Sequence, residues 1–170
     1  MKWIFVLMPV LLLLLIPSQV FGDGVRCKHD TQIDSKALKT PIKHITKDIL
    51  SRCSPKLATE IVQYVNVFKL AQLESFSTDW LLPVQSGLKG VSIEKTGLRR
   101  LNKAAINMTN EDSQLRSISI WYNRQLTELS NGAFTGHFSR LYSISVDHCA
   151  LEKWDTAKVF GFDIDVHIFY

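Results

Sequence analysis

The sequence lacks the features that mark several classes of protein. Its 170 residues include only three Cys, eight Gly and five Pro, which excludes a disulfide-framework miniprotein, a collagen-like chain and a low-complexity chain. It contains no G-x-S-x-G, no Gly-rich phosphate loop, no H-E-x-x-H and no C-x-x-C. Hydrophobic residues make up 46% of the chain, which is enough to bury a core and to exclude intrinsic disorder. We expect one domain that is not an enzyme and that holds no cofactor and no metal.

Only one long apolar run is present, and it lies at the N-terminus. Trp3 to Ile16 follows the positive start Met1-Lys2 and is broken by Pro17. A cut after Gly22 would leave small or aliphatic residues at the two positions that signal peptidases read. The run is short for a membrane span. The sequence therefore predicts a signal peptide over residues 1–22 and a secreted mature chain with no membrane span, whereas an uncleaved signal anchor is the alternative.

Basic residues are not arranged as a stripe. Residues 23–60 hold eight Lys and Arg against five Asp and Glu, and residues 61–170 hold eleven of each. Binding to nucleic acid needs clustered cations that displace counterions from the phosphates. We therefore expect no nucleic-acid partner.

An apolar pattern occurs four times in the second half of the chain. The copies begin at Val62, Leu88, Leu115 and Leu141, so that the starts lie 26, 27 and 26 residues apart. Positions one, four and six of the copies are Leu, Ile or Val in all twelve cases, although these types make up 36 of the 148 residues after Gly22. Independent draws would give this on the order of one time in ten million. Further apolar columns close each copy: Leu73 and Phe76, Leu98 and Leu101, Leu126 and Leu129, Leu151 and Trp154, then Leu81, Ile106, Phe134 and Val159.

Position nine of the copies holds Leu70, Thr96, Asn123 and Cys149. The complete pattern resembles L-x-x-L-x-L-x-x-N/C-x-L of the leucine-rich repeat family, whose repeats have 20–29 residues. Leu70 departs from the family pattern. The resemblance implies an α/β repeat solenoid, a short horseshoe of about four to five coils with a parallel sheet on its concave face. The chain is similar to Toll-like ectodomains and to secreted invertebrate leucine-rich immune proteins, which implies recognition in innate immunity or at the cell surface.

The spacing within a copy agrees with such a coil. Two apolar residues two positions apart are typical of a strand with one buried face, and stacked neighbours cover the apolar face that one coil leaves open. An inward Asn or Thr at position nine can bond the backbone of the adjoining turn. In the first copy, Leu57, Ile61, Tyr64 and Phe68 also fit a helix, but the β-branched Val62, Val65 and Val67 favour a strand.

Both ends of the repeat region carry their own patterns. Thr40-Pro41 is a typical helix start, and Ile42, Ile45 and Ile49 share one face of a helix of about ten residues. We expect this helix to cap the first coil within an N-terminal cap over residues 23–60. Apolar residues alternate with Asp163, Asp165 and His167 near the C-terminus, which predicts a final strand. Residues 61–170 would then form the repeats and this terminal strand.

The strand positions that face outward are the candidate binding residues. One column reads Phe68, Glu94, Trp121 and Asp147, and the next reads Lys69, Lys95, Tyr122 and His148. Exposed aromatic side chains beside charges are typical of binding surfaces, although aromatics are also common on strands for structural reasons. We expect a protein or glycan ligand on the concave face, with Trp121 as its anchor.

Two other interpretations concern the C-terminal end. The chain lacks the four-Cys C-terminal cap that is typical of extracellular leucine-rich proteins, which favours a structural module that self-associates or docks on a larger leucine-rich protein through its C-terminal edge. Asp147, His148, Asp165 and His167 would suit a divalent metal if the last strand paired beside the fourth copy. A solvated polar rim that discourages edge association is the favoured interpretation of these four residues.

Secretion supplies an oxidising compartment for the cysteines. We predict a disulfide between Cys27 and Cys53, which would stabilise the fold by about 3.5 kcal/mol through loop closure. Cys149 lies some four strands away and should be unpaired, because a bridge needs Cα atoms within ~7 Å. Asn107-Met108-Thr109 is the only N-x-S/T sequon. It predicts a glycan on the return segment, away from the concave face.

Overall fold

The structure, a computed structural model, describes residues 31–34, 41–53, 61–152, 154–161 and 167–169. The region predicted to be a signal peptide lies outside these ranges, as do Cys27 and Asp165. Within them, most of the regular structure is β-strand. The strands are β1 (Thr31–Asp34), β2 (His44–Ile45), β3 (Tyr64–Phe68), β4 (Ser75–Phe76), β5 (Gly90–Glu94), β6 (Arg100–Leu101), β7 (Ile106–Met108), β8 (Ser117–Trp121), β9 (Glu128–Leu129), β10 (Phe134–Gly136), β11 (Ser143–Asp147) and β12 (His167–Phe169). Two short α-helices, α1 (Lys47–Cys53) and α2 (Thr156–Phe160), and a 3-10 turn over Leu82–Val84 complete the described elements.

The longer strands form one parallel sheet. Its order is β1-β3-β5-β8-β11-β12, and its register places equal positions of the four copies side by side, so that Val65 pairs with Val91, Val91 with Ile118, and Ile118 with Ile144. On the return side, β2 pairs with β4, β6 with β9, and β7 with β10, all parallel. A chain that returns to the same sheet at each repeat is a solenoid. The protein is thus a parallel-strand β-solenoid of about four turns, with β1 and β12 added at the two edges of the sheet.

The core is built from the repeat columns. All twelve residues at positions one, four and six are buried, and so are Leu81, Ile106, Phe134 and Val159 on the return side. Each buried Leu, Ile or Val contributes about 1.5–3 kcal/mol relative to an exposed side chain. Because every coil covers the apolar face of the next one, the solenoid interior is a continuous core. The strand assignment of the first copy is confirmed by β3.

The strands of the four copies end in the same turn. Position eight has a positive φ in every copy, at Lys69, Lys95, Tyr122 and His148, with φ between 51° and 55°. This left-handed conformation costs an L-residue roughly 1–2 kcal/mol. In the first three copies it lets the backbone N–H continue the sheet: Lys95 N donates to the Trp121 carbonyl at 3.1 Å and Tyr122 N to the Asp147 carbonyl at 3.0 Å. In the fourth copy the His148 N–H donates to Asp147 Oδ1 instead. The turn also directs position nine into the core.

Position nine provides the hydrogen bonds that these turns need. Asn123 is fully buried, and its Oδ1 accepts from the backbone N and the Oγ1 of Thr96 at 2.9 and 2.7 Å. Its Nδ2 donates to the carbonyls of Ile93 at 2.8 Å and Trp121 at 3.1 Å. The expected bond from an inward Asn to the adjoining turn is therefore confirmed, and Thr96, Asn123 and Cys149 form a polar ladder between coils.

The N-terminal cap differs from the expected helix. Ile45 lies in β2, and α1 has seven residues and begins only at Lys47, because the Thr46 carbonyl is the first to accept helical bonds, from Ile49 and Leu50. The pairing of β2 with β4 takes His44 and Ile45 out of the helix. β1 extends the sheet beyond the first copy. Further strand backbone thus lies beside the first coil, in place of the expected helical cap.

Helix is also scarce in the return segments, so the structure supports a solenoid without the α/β composition expected from the sequence. The second and third copies return through short strands. Ala104, Gly132 and Gly136 have left-handed backbone conformations there, which an α-helix does not contain. In the return segment of the first copy, Trp80 is fully buried and its Nε1 donates to the Ala105 carbonyl at 2.5 Å. Trp80 fixes the first coil to the second, a role that its sequence position did not indicate.

Candidate binding surface

Positions three, five and seven of the strands point away from the core, because successive side chains alternate between the two faces of a sheet. We call the outward side of β3, β5, β8 and β11 the strand face. Small uncharged residues cover its centre: Gly90, Ser92, Ser117, Ser119, Ser143 and Ser145. The aromatic and charged residues lie around this serine floor.

Trp121 is the largest exposed side chain on the strand face. It ends β8 and is 42% exposed. Its Nε1 donates to Ser145 Oγ on β11 at 2.7 Å, which holds the indole across the neighbouring strand. Glu94 and Asp147 are its register partners on the two sides. Trp121 therefore lies fixed and solvent-facing between two carboxylates, as the column at position seven predicts.

The position-eight side chains stack along the end of the strands. The rings of Tyr122 and His148 are 4.5 Å apart, and Lys95 Nζ lies 5.1 Å from the Tyr122 ring centre. Two members also contact their position-seven neighbours: Lys95 Nζ lies 2.6 Å from Glu94 Oε1, and His148 Nδ1 lies 2.8 Å from Asp147 Oδ2. The backbone hydrogen bonds of the position-eight residues fix the turn, and these side-chain contacts order the rim of the strand face.

The first copy brings Phe68 and Lys69 to the same rim. Phe68 is half-buried, and Lys69 Nζ lies 4.9 Å from the centre of its ring. The structure thus places all seven predicted binding residues on one continuous surface: Phe68, Glu94, Lys95, Trp121, Tyr122, Asp147 and His148. Below this rim, a depression of about 300 Å³ is lined in part by Lys95, Tyr122 and Arg124.

Tyr64 is a strand-face residue that sequence reasoning missed. It begins β3, is 48% exposed, and is the register partner of Gly90. A Cβ on Gly90 would lie 2.8 Å from Tyr64 Cδ1, so the Tyr64 ring lies over the bare backbone of β5. The sequence signal that could have identified it is an aromatic residue at position three of one copy, Tyr64, beside a Gly at position three of the next, Gly90.

Cys149 has a free thiol, as expected from its distance to the cap. Its Sγ lies 3.6 Å from the Ile120 carbonyl oxygen and 3.4 Å from that of Asp147, which repeats the two carbonyl contacts of Asn123 one coil earlier. Burial of the thiol raises its pKa, and the negative charge of Asp147 adds to this effect. A raised thiol pKa opposes the thiolate form that nucleophilic catalysis requires.

The register does not favour the alternative of a metal site at Asp147, His148, Asp165 and His167, of which Asp165 lies outside the described residues. His167 pairs with Ser143 at the start of β11, four residues from Asp147, which is about 13 Å along a strand. The backbone of β12 therefore begins beside the end of β11 that is opposite to Asp147 and His148. In the part of the chain that the structure describes, no three His, Cys, Asp or Glu side chains form a group that could hold a metal ion.

The modification sites lie away from the strand face or outside the described residues. Asn107 is in β7 on the return side, where its Nδ2 donates to the Thr78 carbonyl at 3.2 Å and its Oδ1 accepts from Thr135 Oγ1 at 3.2 Å. A glycan at this position stays a prediction, and so does the disulfide between Cys27 and Cys53. Cys27 and the Cys53 side chain lie outside the described part of the structure.

The fold defines a parallel β-solenoid whose strand face carries an ordered row of aromatic and charged side chains. Searches of protein-family models, of curated proteins and of solved structures find no match to this chain. Among the helices of the described residues, none has the length and apolar character that spanning a membrane requires.

Proposed function

We propose that this protein is a secreted, non-enzymatic recognition protein that binds its partner on the strand face. The observation that carries the proposal is Trp121, a large aromatic side chain that is 42% exposed although Ser145 holds it in place. Burying an ordered indole on binding loses little conformational freedom, since its rotamer is already fixed. Such anchors next to charged residues dominate the energy of many interfaces.

The proposed fold relationship is a divergent leucine-rich repeat protein. The repeat length, the parallel strands on one face and the inward ladder at position nine support it. On this relationship the strand face is the concave face of a short horseshoe, and α1 belongs to its N-terminal cap. Extracellular recognition, either in innate immunity or at a cell surface, is the role that the relationship favours.

Substitution of Trp121 tests the binding surface directly. Trp121→Ala should weaken the binding of a partner captured from extracellular fluid by about 30-fold, or ~2 kcal/mol. The melting temperature should stay nearly unchanged, because the side chain is exposed and the strand remains paired. Isothermal titration and thermal melting on the same preparations measure the two effects.

Tyr142→Ala is the matched control. Tyr142 is 58% exposed but lies just before β11, at the opposite end of the strands from Trp121. Its removal should leave the affinity unchanged. A large fall in melting temperature with unchanged affinity of folded Trp121→Ala would show that Trp121 is a structural residue and would refute the proposed surface.

Association through the C-terminal edge is the second candidate function. Within the described residues, β12 is the outer strand of the six-stranded sheet, and the free side of such a strand can pair with another chain. A molar mass that rises with concentration in light scattering would support this function. A monomer whose mass does not depend on concentration would count against it.

A further inference from the structure

Two aromatic rings lie over the sheet in the same manner. Tyr64 extends from β3 over Gly90 of β5, and Trp121 extends from β8 to Ser145 of β11. Both rings therefore cross to the next strand in the same direction along the solenoid. They remain 48% and 42% exposed, so each offers one face to solvent while the other lies against the sheet.

The surface between the two rings is flat and uncharged. Positions three and five of β5, β8 and β11 carry only Gly and Ser. Each serine hydroxyl offers one donor and two acceptor sites. A ligand that lies on this floor meets serine hydroxyl groups, and it meets carboxylates, those of Glu94 and Asp147, at its Trp121 end.

This combination matches the chemistry of a sugar chain. The faces of aromatic rings are electron-rich, and the C–H groups of a pyranose ring are weakly positive and pack against them, while sugar hydroxyls bond serine hydroxyls. Glu94 and Asp147 flank Trp121, and carboxylates are strong acceptors for hydroxyl donors.

A peptide strand fits this surface less well. β5 and β8 are paired with neighbours on both sides, so they offer no free backbone groups to a peptide that would extend the sheet. The flat floor of small residues has no pockets for side chains. An uncharged oligosaccharide needs neither of these features.

The separation of the rings sets the length of the ligand. The Cα atoms of Tyr64 and Trp121 are about 16 Å apart at ~4.8 Å per strand and ~3.3 Å per residue. Their rings lie over Gly90 and at Ser145, which are two strands and two residues apart, so the rings themselves are about 12 Å apart. A 1,4-linked pyranose advances a chain by about 5 Å, roughly four single bonds of ~1.5 Å less their zigzag. About three to four sugar rings therefore span the two platforms, so a tetrasaccharide reaches both. β-1,4 linkage suits the flat path, because it keeps successive rings extended.

We infer that the strand face binds an extended, uncharged β-1,4-linked oligosaccharide, with terminal sugar rings stacked on Tyr64 and Trp121 and the chain between them on the serine floor. The inference rests on the proposed function of the strand face and specifies the class of its ligand. It assigns to Tyr64 a binding role equal in kind to that of Trp121.

Calorimetric titration of the full mature chain with two tetrasaccharides tests the inference. The probes are the β-1,4-linked tetramers of glucose and of N-acetylglucosamine, each compared with its monosaccharide. We expect one tetrasaccharide per protein, bound at least about tenfold more tightly than the monosaccharide, because only the longer ligand reaches both rings. Tyr64→Ala and Trp121→Ala should each weaken tetrasaccharide binding by at least about tenfold, whereas Tyr142→Ala should not change it.

Gly90→Ser provides a variant in which both rings are retained. It introduces the side chain already present at position three of β8 and β11, but it displaces the Tyr64 ring, and tetrasaccharide binding should fall as in Tyr64→Ala. A melting curve like that of the unsubstituted protein verifies that each variant is folded. Should Gly90→Ser unfold the chain, Tyr64→Phe, which keeps the ring and should keep the affinity within about threefold, replaces it.

The outcomes separate this inference from the proposed function. The inference is wrong if neither tetrasaccharide binds at millimolar concentration, or if binding survives both Tyr64→Ala and Trp121→Ala. If a captured protein or a cationic peptide needs Trp121 while neither sugar binds, the proposed surface stands and its assignment to oligosaccharides fails. If nothing that binds the protein depends on Trp121, both fail.

Discussion

Single residues in this solenoid adopt backbone conformations that their side chains disfavour. Position eight holds Lys, Tyr or His in the left-handed region in all four copies, although Gly and Asn adopt this conformation at a lower energetic cost. In the first three copies the N–H of this residue continues the sheet, and in the fourth the His148 N–H donates to Asp147 Oδ1 at 2.8 Å, so each strained residue has a bonded N–H. A side chain at position eight projects from a turn whose backbone is fixed by its neighbours, which is suited to a preorganised rim of a binding surface.

Ala104 and Gly132 occupy the same place in successive copies and both have a positive φ, 55° and 66°. Ala104→Gly should stabilise the protein by up to about 1 kcal/mol, because glycine adopts this conformation without strain. Gly132→Ala should destabilise it by about 1 kcal/mol, since the nearest atom to an added Cβ, Lys103 Cγ, is 3.7 Å away and only the backbone is affected. Urea denaturation of the two variants measures both effects, and changes of equal sign would refute this explanation.

At the scale of strands and turns, position nine determines how the copies hold together. Asn123→Ala should destabilise the fold by about 3 kcal/mol or more, because it leaves buried groups of Thr96 and Ile93 without their partners. Asn131→Ala is the control, since Asn131 is exposed on the return side of the same copy, and its effect should stay within about 0.5 kcal/mol. Equal unfolding free energies for the two variants would show that the ladder contributes nothing.

The elements that could be predicted from sequence are those whose signal lies within one copy. The apolar positions of β3, β5, β8 and β11 repeat, so their strands, their register and the row of outward residues at positions seven and eight followed from the spacing. The start of α1 could not, because the pairing of Ile45 with Phe76 decides it. Tyr64 was missed for the same reason, since its exposure over the sheet depends on a missing side chain in the next copy, at Gly90.

At the scale of the whole molecule, the reactivity of the cysteines toward an alkylating reagent tests the fold. In the oxidised native protein, Cys149 should be the only cysteine that iodoacetamide modifies, and it should react more slowly at pH 8 than in urea, because its raised pKa keeps more of the thiol protonated. The raised thiol pKa also makes the stability of the protein depend on pH. Its contribution is complete below the pKa of the unfolded chain and is lost as the pH rises through the pKa of the folded protein.

Peptide mapping by mass spectrometry after alkylation measures all three cysteines at once. A Cys27–Cys53 bridge predicts that both remain unmodified until a reductant is added. Finding Cys149 in a disulfide within the monomer would contradict both the pairing and the ladder, because its Sγ contacts the Ile120 carbonyl inside the solenoid.

The copies differ in length by one residue, but the strand pairing of the main sheet is the same in all four. The first and third copies have one residue more than the second in the turn after position nine, Gln72 and Gln125, whereas the second has two residues more between Ile106 and Leu115. In its shorter turn, Gly97 lies against the Ala71 carbonyl. All four strands nevertheless keep the same partners. Length changes during evolution can therefore accumulate in this turn and in the segment that leads into the next copy without altering the spacing of the rows across the strand face. Duplication of a whole coil would then lengthen the surface by one strand, about 4.8 Å, and a lineage could adjust the number of ligand units that it reads by copying coils rather than by redesigning a pocket.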